Sequence, residues 1–384
     1  MKNKNCSLAC FGVRLGAHKS AVFFLYITLL LGTSACSLSA KGPVQTPEKG
    51  ENLTIMTWNV HNFFDGIEAG TEYPEYQESA GWSAEKYQGR LNAAASAIKK
   101  IEPKPDIIAF QEIENLQAIS GIAGLLSGYA WSHFANNPGA ALGLGIISRH
   151  PITAATVHSI TIDGVTTPRP VLETQIEAGG ESLALFVCHW KSKVGGQEAT
   201  EETRKASARV ILRRIRELAD EEPALPVIIL GDLNENHDEF YRLNGTAVCA
   251  LLPDDPLSAE LAGFLYAGGG TARSHSKMQT DFVVISGNKP PAAVHFPREV
   301  LAFYSPWTDY TKSGSYYYRD NWETIDHFLL YGEFFNGSGW DFGDFKVIDF
   351  PPFTNSRGQP ASYNPRTGTG LSDHLPLVLT LRMQ

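Results

Sequence analysis

Six short polar clusters, each bordering an apolar run, constrain this chain more than any other feature: Trp58-Asn59, Gln111-Glu112, His189, Gly231-Asp232-Leu233-Asn234, Asp326-His327 and Ser372-Asp373-His374. The runs they border are Leu53 to Thr57, Ile107 to Phe110, Leu183 to Val187, Val227 to Leu230, Phe328 to Leu330 and Leu375 to Leu381. Short unbroken apolar runs of this kind predict buried strands. A single carboxylate at a strand end is ordinary turn or cap chemistry. Six clusters with this inventory of Asp, Glu, Asn and His predict instead that the strand ends converge on one site.

The inventory points to a reaction class. A hard divalent cation takes oxygen ligands and keeps waters that a substrate can displace. Histidines outside any Cys-rich context suit proton transfer near neutral pH. Side-chain amides hold phosphoryl oxygens or water without adding charge. The combination describes metal-assisted attack of water on a phosphate ester. Zinc hydrolysis is the weaker reading, because the chain has no His-Glu-x-x-His and, beyond residues 1–36, no Cys pair at ligand spacing.

From about Leu53 to the C-terminus the chain resembles the endonuclease/exonuclease/phosphatase superfamily, in its deoxyribonuclease-like form. The resemblance rests on T-W-N-V-H-N-F (57 to 63), D-I-I-A-F-Q-E-I-E (106 to 114), G-I-I-S-R-H-P-I (145 to 152), R-P-V-L-E (169 to 173), V-C-H-W-K-S-K (187 to 193), L-G-D-L-N (230 to 234), I-D-H (325 to 327) and S-D-H-L-P (372 to 376). Each is weak alone, and together they follow the family's order. The resemblance implies an α/β four-layer sandwich, two packed mixed β-sheets flanked by helices, with a catalytic cleft at one end of the sheets.

Residue by residue, the resemblance implies Glu112 as a metal ligand, with Asn59 in the metal and phosphate neighbourhood and Asp373 as a further acidic member near the metal. Asp232 and Asn234 would orient the attacking water and a phosphate oxygen. His374 resembles the general base, with Asp326 holding its imidazole. His189 resembles the second histidine of the deoxyribonuclease branch, which donates to the phosphoryl oxygen or leaving group. In that branch a glutamate pairs with it from the strand matching Gly143 to Ile147, a segment without an acid here. Arg169 matches an R-x-P position that touches a substrate phosphate, and Lys191 is placed with it on the substrate side. The implied cofactor is Mg²⁺ or Mn²⁺, with Ca²⁺ as a further option. His327 reads as structural, His61, His133, His150, His237 and His275 receive no role, and Cys188 reads as a small buried hydrophobe.

Residues 1–36 read as an export signal. Lys2, Lys4, Arg14 and Lys19 precede an apolar stretch from Ala21 to Gly32, shorter than the roughly 20 residues of a spanning helix. Ser34-Ala35-Cys36 resembles the end of a bacterial lipobox, with Thr33 where Leu is usual. A cell-envelope lipoprotein anchored at Cys36 is therefore expected, with ordinary secretion as the alternative. Residues 37–52 read as a flexible tether and 53–384 as the catalytic domain. No disulfide framework is present, and a monomer with no protein partner is expected.

Charge argues against simple polyanion binding. The chain carries 32 Lys plus Arg against 41 Asp plus Glu, and residues 1 to 35 hold four of the positives and none of the negatives, leaving a mature charge of −13. Any grip on nucleic acid must then be local. One candidate is the helix from about Gln197 to Leu218, where Lys205, Arg209, Arg213 and Arg216 share an arc beside an apolar face; a solvated flank on a core-packing helix is the favoured reading. Ser83 to Ile101 predicts an outer helix with Ser83 as N-cap. From Cys249 to Asp320 the pattern loosens into loops with Trp307, Tyr310, Tyr316, Tyr317 and Tyr318, whose rings serve packing or base stacking.

H-W-K-S-K and the Tyr-rich approach to Asp326 most resemble secreted bacterial nucleases, so a nucleic-acid substrate is expected. A phosphodiesterase or phosphatase acting on lipid (sphingomyelinase-like) or small phosphoesters is the alternative. A non-catalytic surface binding protein is disfavoured because every catalytic position is filled.

Overall fold

The computed structural model describes residues 49–267, 281–291, 296, 300–310 and 313–384. The expected export signal with Cys36, most of the tether, Gly268-Gly269-Gly270 and His275 lie outside the described residues. In chain order the strands are β1 (Asn52–Phe63), β2 (Ile107–Ile113), β3 (Trp131–Ala135), β4 (Gly143–Ser148), β5 (Ile152–His158), β6 (Thr161–Ile162) and β7 (Val165–Thr166). They continue with β8 (Val171–Ala178), β9 (Glu181–His189), β10 (Val227–Asp232), β11 (Leu251–Pro253), β12 (Val283–Ser286) and β13 (Ala302–Tyr304). The last are β14 (Tyr316–Tyr318), β15 (Asn321–Glu323), β16 (Asp326–Tyr331), β17 (Trp340–Val347) and β18 (Leu377–Met383). The helices used below are α1 (Ala84–Ile98), α2 (Leu116–Leu125) and α3 (Gln197–Glu221).

One six-stranded sheet has the order β17-β18-β1-β2-β4-β3, and an eight-stranded sheet has the order β11-β12-β13-β16-β10-β9-β8-β5. Both are mixed: β1 is parallel to β2 and antiparallel to β18, while β10 is parallel to β9 and antiparallel to β16. The four-layer sandwich implied by the sequence is the observed fold, with α1 and α2 packed on the first sheet and α3 on the second.

The unbroken apolar runs are explained by this layering. In β9, Leu183, Leu185 and Val187 join the large core shared with the first sheet, while Ala184, Phe186 and Cys188 join the cluster under α3. In β10, Ile228 and Leu230 face the first core and Val227 and Ile229 the second. A strand covered on both faces has no position for a polar alternation. Ser83 caps α1 as expected, its side chain accepting from the Lys86 N–H. His327 is fully buried with Nε2 2.8 Å from the Glu235 carbonyl, and Cys188 and Cys249 are buried free thiols.

The 249–320 region departs from expectation. Its described parts are more than loops: β11, β12 and β13 extend the second sheet beyond β16. Leu251, Val283 and Phe303 bury there. Three-residue and four-residue strands carry too little periodicity to register in the sequence.

Gly231 shows how backbone chemistry positions the site. Its φ is +123°, and a Cβ there would lie 2.1 Å from the Cys188 carbonyl oxygen on β9. Only glycine lets β10 approach β9 this closely while carrying Asp232 to the strand end. Gly231→Ala is expected to destabilise the protein by about 2 to 5 kcal/mol, from left-handed strain plus overpacking. Denaturant unfolding checks this, and a loss under about 1 kcal/mol would show that β10 moves away freely.

Candidate active site

Three adjacent strands of the second sheet end on one line. Asp232 on β10 is the register partner of His189 on β9 and of Asp326 on β16. From the first sheet, β1 and β2 bring Asn59 and Glu112 to the same place. The Asn59 Nδ2 donates to Asp232 Oδ2 at 3.0 Å and to Glu112 Oε1 at 3.2 Å. His189 Nε2 lies 3.5 Å from Asp232 Oδ2 and 3.7 Å from Glu112 Oε1.

His374 completes the group from the segment leading into β18. Its Nδ1 is 2.8 Å from Asp326 Oδ2, and its Nε2 is 4.0 Å from Asp232 Oδ2. Ser315 also donates to Asp326 Oδ2, at 2.6 Å. The Ser372-Asp373-His374 turn is pinned to β1: Ser372 Oγ donates to the Asn59 carbonyl at 2.6 Å, and Trp58 Nε1 donates to the His374 carbonyl at 3.0 Å.

Six of the ten expected residues, Asn59, Glu112, His189, Asp232, Asp326 and His374, thus form one contiguous array. Asn234 borders it. In left-handed conformation at φ 53°, it donates its N–H to Asp232 Oδ1 at 2.9 Å and its Nδ2 to the Trp190 carbonyl at 3.1 Å. Arg169 hydrogen-bonds the same Trp190 carbonyl and feels the charges of Glu112 and Asp232. Asp373 stands at the rim, 3.6 Å from His61 Nδ1. Lys191 turns to its own loop, with Nζ 3.5 Å from Ser192 Oγ and 3.4 Å from the Val194 carbonyl.

Glu112 reaches the site through a break in the sheet. β1 and β2 pair as far as Asn59 with Gln111 and resume at Phe63 with Ile113, so three residues of β1 oppose one of β2. His61, Asn62 and Glu112 adopt positive φ of 55°, 52° and 60°. The bulge frees the Asn62 N–H to hold Glu112 Oε2 at 2.8 Å. It also leaves the carbonyls of Val60, His61 and Asn62 without ladder partners, and the Arg90 guanidinium from α1 takes all three. Arg90 is 1% exposed, with its charge 3.9 Å from the Tyr363 ring centroid and 4.6 Å from that of Phe63.

Sequence reading missed Arg90 and His61. The signal for Arg90 was an arginine set three residues after Tyr87 and four before Ala94, inside the apolar stripe of α1. His61 carried none, because its part depends on the bulge.

Burial drives the electrostatics. It pushes the Asp232 carboxyl up to about 7, with Asp326 adding to the effect and His374 and Arg169 opposing it. Burial would lower His374, but the hydrogen-bonded Asp326, with Asp232 and Asp373, outweighs it and holds the imidazole well above its ordinary range. His189 goes the other way: burial, and then the charges of Arg169, His374 and Lys191, keep it neutral. No acid reaches it from β4, its carboxylate neighbours being Asp232 and Glu112, and a neutral ring still carries one N–H to donate.

The donor set suits a hard cation. Ligand atoms of Asp232, Asp326 and His374 lie within 4.8 Å of one another, and Asp326 Oδ1 is buried without a hydrogen-bond partner. Asp326 and His374 already engage each other, however, so Glu112, with Asp232 across Asn59, is the better oxygen side for a cation. Of the expected metal ligands, Asn59 presents its NH₂ to the carboxylates, because its Oδ1 accepts from the His61 N–H at 3.0 Å. In this arrangement its nitrogen spaces two acids while its oxygen already accepts one hydrogen bond.

Two arginines of the basic arc of α3 have acidic neighbours. Arg209 pairs with Asp281 at 2.6 Å and Glu202 at 3.0 Å, and Arg213 lies 3.9 Å from Glu217. This agrees with a solvated flank.

A family model described as Endonuclease/Exonuclease/phosphatase family matches residues 54–246. No curated protein matches the chain. Among solved structures, truncated TDP2 from Caenorhabditis elegans is similar at 15% identity and a TM-score of 0.50, over 87% of this chain and 98% of that one. A mannosyl-6-phosphatase from Bacteroides thetaiotaomicron is 14% identical with a TM-score of 0.46, over 86% of this chain and 99% of that one. The human Nocturnin catalytic domain is 15% identical with a TM-score of 0.45, over 87% of this chain and 95% of that one. At these identities the likeness concerns the fold.

Arg90→Lys keeps a charge but cannot span three carbonyls. It is expected to leave far-UV circular dichroism unchanged and to lower kcat/KM roughly 10- to 100-fold through a misplaced Glu112. Unchanged kinetics would show that the bulge holds its shape without the guanidinium.

Proposed function

The chain belongs to the endonuclease/exonuclease/phosphatase family, whose enzymes are phosphoesterases, and from that premise we propose that it is an exported, divalent-metal-dependent phosphodiesterase acting on nucleic acid. The observation that carries the catalytic part is the His374 imidazole held between Asp326, at 2.8 Å from Nδ1, and Asp232, at 4.0 Å from Nε2. Asp326 fixes the tautomer, which leaves Nε2 to accept a proton from water. Asp232 and the Asn234 amide orient that water and a phosphate oxygen.

Glu112, with Asp232 across Asn59, would hold a divalent cation, which would supply positive charge to the phosphate oxygens as the diester gains negative charge. Asn59 keeps Glu112 and Asp232 apart at hydrogen-bonding distance and limits their mutual repulsion. His189, neutral through burial, donates its N–H to the phosphoryl oxygen or the leaving group. Arg169 and Lys191 contact the substrate phosphate, and Asp373 contributes negative charge at the metal side.

A nucleic-acid substrate is supported by H-W-K-S-K and the Tyr-rich segment before Asp326, which resemble secreted bacterial nucleases. A lipid or small phosphoester is the second reading, favoured by the mature charge of −13 and the ion-paired flank of α3. Plasmid DNA, RNA, sphingomyelin and inositol phosphates assayed in parallel separate the two.

EDTA is expected to abolish hydrolysis and Mg²⁺ or Mn²⁺ to restore it, while Glu112→Gln stays folded and loses most activity. His374→Ala should cost on the order of 10² to 10⁴ in rate. Because His374 must lose its proton to act, and its proton affinity is raised, kcat/KM should climb with pH along an acid limb. Asp326→Asn removes the charge that raises it, so the limb should move to lower pH as the rate falls. Full activity in EDTA sinks the metal assignment, and an unmoved limb sinks the role of Asp326.

Export with a lipid anchor at Cys36 belongs to the same proposal. The protein should then enter the membrane fraction and be released by detergent but not by high salt, and Cys36→Ala should abolish lipid attachment. A salt-extractable or soluble wild type would overturn the anchor.

A further inference from the structure

We propose that Tyr316, Tyr318 and Arg319 form a stacking subsite for an unpaired nucleobase beside the scissile phosphate, an assignment that rests on the reading of the substrate as nucleic acid. The hairpin of β14 and β15 is tied directly to the catalytic segment. Tyr316 bridges to His374, the Leu375 N–H donates to the Ser315 carbonyl at 2.7 Å, and Gly314 allows an approach at which a Cβ would sit 2.1 Å from the Glu323 carbonyl oxygen.

The two faces of this hairpin do different things. Tyr317 and its cross-strand partner Trp322 pack edge to face at 5.2 Å, and Trp322 leans on the main core. That face meets the packing requirement. The other face carries Tyr316 and Tyr318, whose rings are nearly parallel at 17° and 6.2 Å apart. The Tyr316 ring lies 4.6 Å from the His374 imidazole, and the Arg319 guanidinium lies 5.0 Å from the Tyr318 centroid. Planar groups therefore run in series from the catalytic imidazole to Tyr318, which is 46% exposed.

Aromatic rings and guanidinium planes are the surfaces on which unstacked bases rest, and every base has a π-face to offer. The turn supports a functional reading of the tip. Arg319 and Asp320 both take positive φ, 47° and 64°, in a two-residue hairpin turn that favours Asn and Gly. Glu323, the cross-strand partner of Tyr316, places negative charge on the same face. The inner part of the ladder thus takes the uncharged base, and the phosphate lies toward Arg319 or the metal side. A base in a duplex is stacked on both sides and cannot reach this surface, so the preferred substrate is single-stranded or locally opened.

The test uses binding separated from chemistry. The full chain in EDTA is titrated with single-stranded oligothymidylate and with an abasic strand of equal length. Wild type is expected to bind the base-bearing strand roughly 5- to 150-fold more tightly, the range of base–aromatic stacking. Tyr318→Ala should remove most of that ratio, and Tyr318→Phe should keep it, because the ring and not the hydroxyl stacks. Equal binding of the two strands by wild type, or a ratio untouched by Tyr318→Ala, overturns the subsite. Cleavage of the same oligonucleotide in Mg²⁺ is read separately. Cleavage with Tyr318-independent binding overturns the subsite and leaves the nuclease reading standing, whereas Tyr318-dependent binding without cleavage does the reverse.

Discussion

A buried guanidinium on three backbone carbonyls is the interaction on which this site depends. Where β1 and β2 lose register, the carbonyls of Val60 and His61 lose their ladder partners and that of Asn62 keeps only the Phe64 N–H, and a buried carbonyl left unpaired costs about 1 to 3 kcal/mol. Arg90 satisfies all three and rests its charge on Phe63 and Tyr363. With the bulge so held, the Asn62 N–H grips Glu112 and the His61 N–H turns the Asn59 amide. Loss of register, a defect in a regular sheet, here aims the carboxylate.

The second constraint is desolvated charge. Asp232, Asp326 and His374 are all nearly buried, and Asp232 and His374 both hold their protons more tightly than usual. The proton affinity of Asp232 rises with burial, and that of His374 rises because Asp326 lies against its ring. His189, a few ångströms away, is kept neutral first by burial and then by the charges of Arg169, His374 and Lys191. Two histidines in one cleft thereby acquire opposite proton affinities, one set by burial and the other by the carboxylates that outweigh it.

Around this centre, the region from Cys249 to Asp320 does more than link strands. Part of it widens the second sheet through β11, β12 and β13, and its C-terminal end folds over His374 in the β14–β15 hairpin. The same segment therefore supplies both scaffold and a wall of the cleft. Trp307 shows the coupling: its ring is buried in the core while its Nε1 donates to the Asp326 carbonyl at 2.8 Å.

The strands that matter were legible because a strand buried on both faces must be apolar throughout, and the polar residue that ends such a run is conspicuous. Leu53 to Thr57, Ile107 to Phe110 and Val227 to Leu230 all lie within observed strands, and the apolar stripe with its Ser83 cap located α1. The residue types at those strand ends pointed to the phosphoesterase family to which the chain belongs. Register was not legible, because it is set by pairing between segments far apart in the chain. Only the tertiary structure put Asp232 opposite both His189 and Asp326, turned the Asn59 amide nitrogen toward two carboxylates, drew Arg90 inward to the bulge and paired Arg209 with Asp281. Hydrophobic pattern is a local property and survives in one dimension, whereas the partner of a buried charge is decided by which surfaces the folded chain brings together.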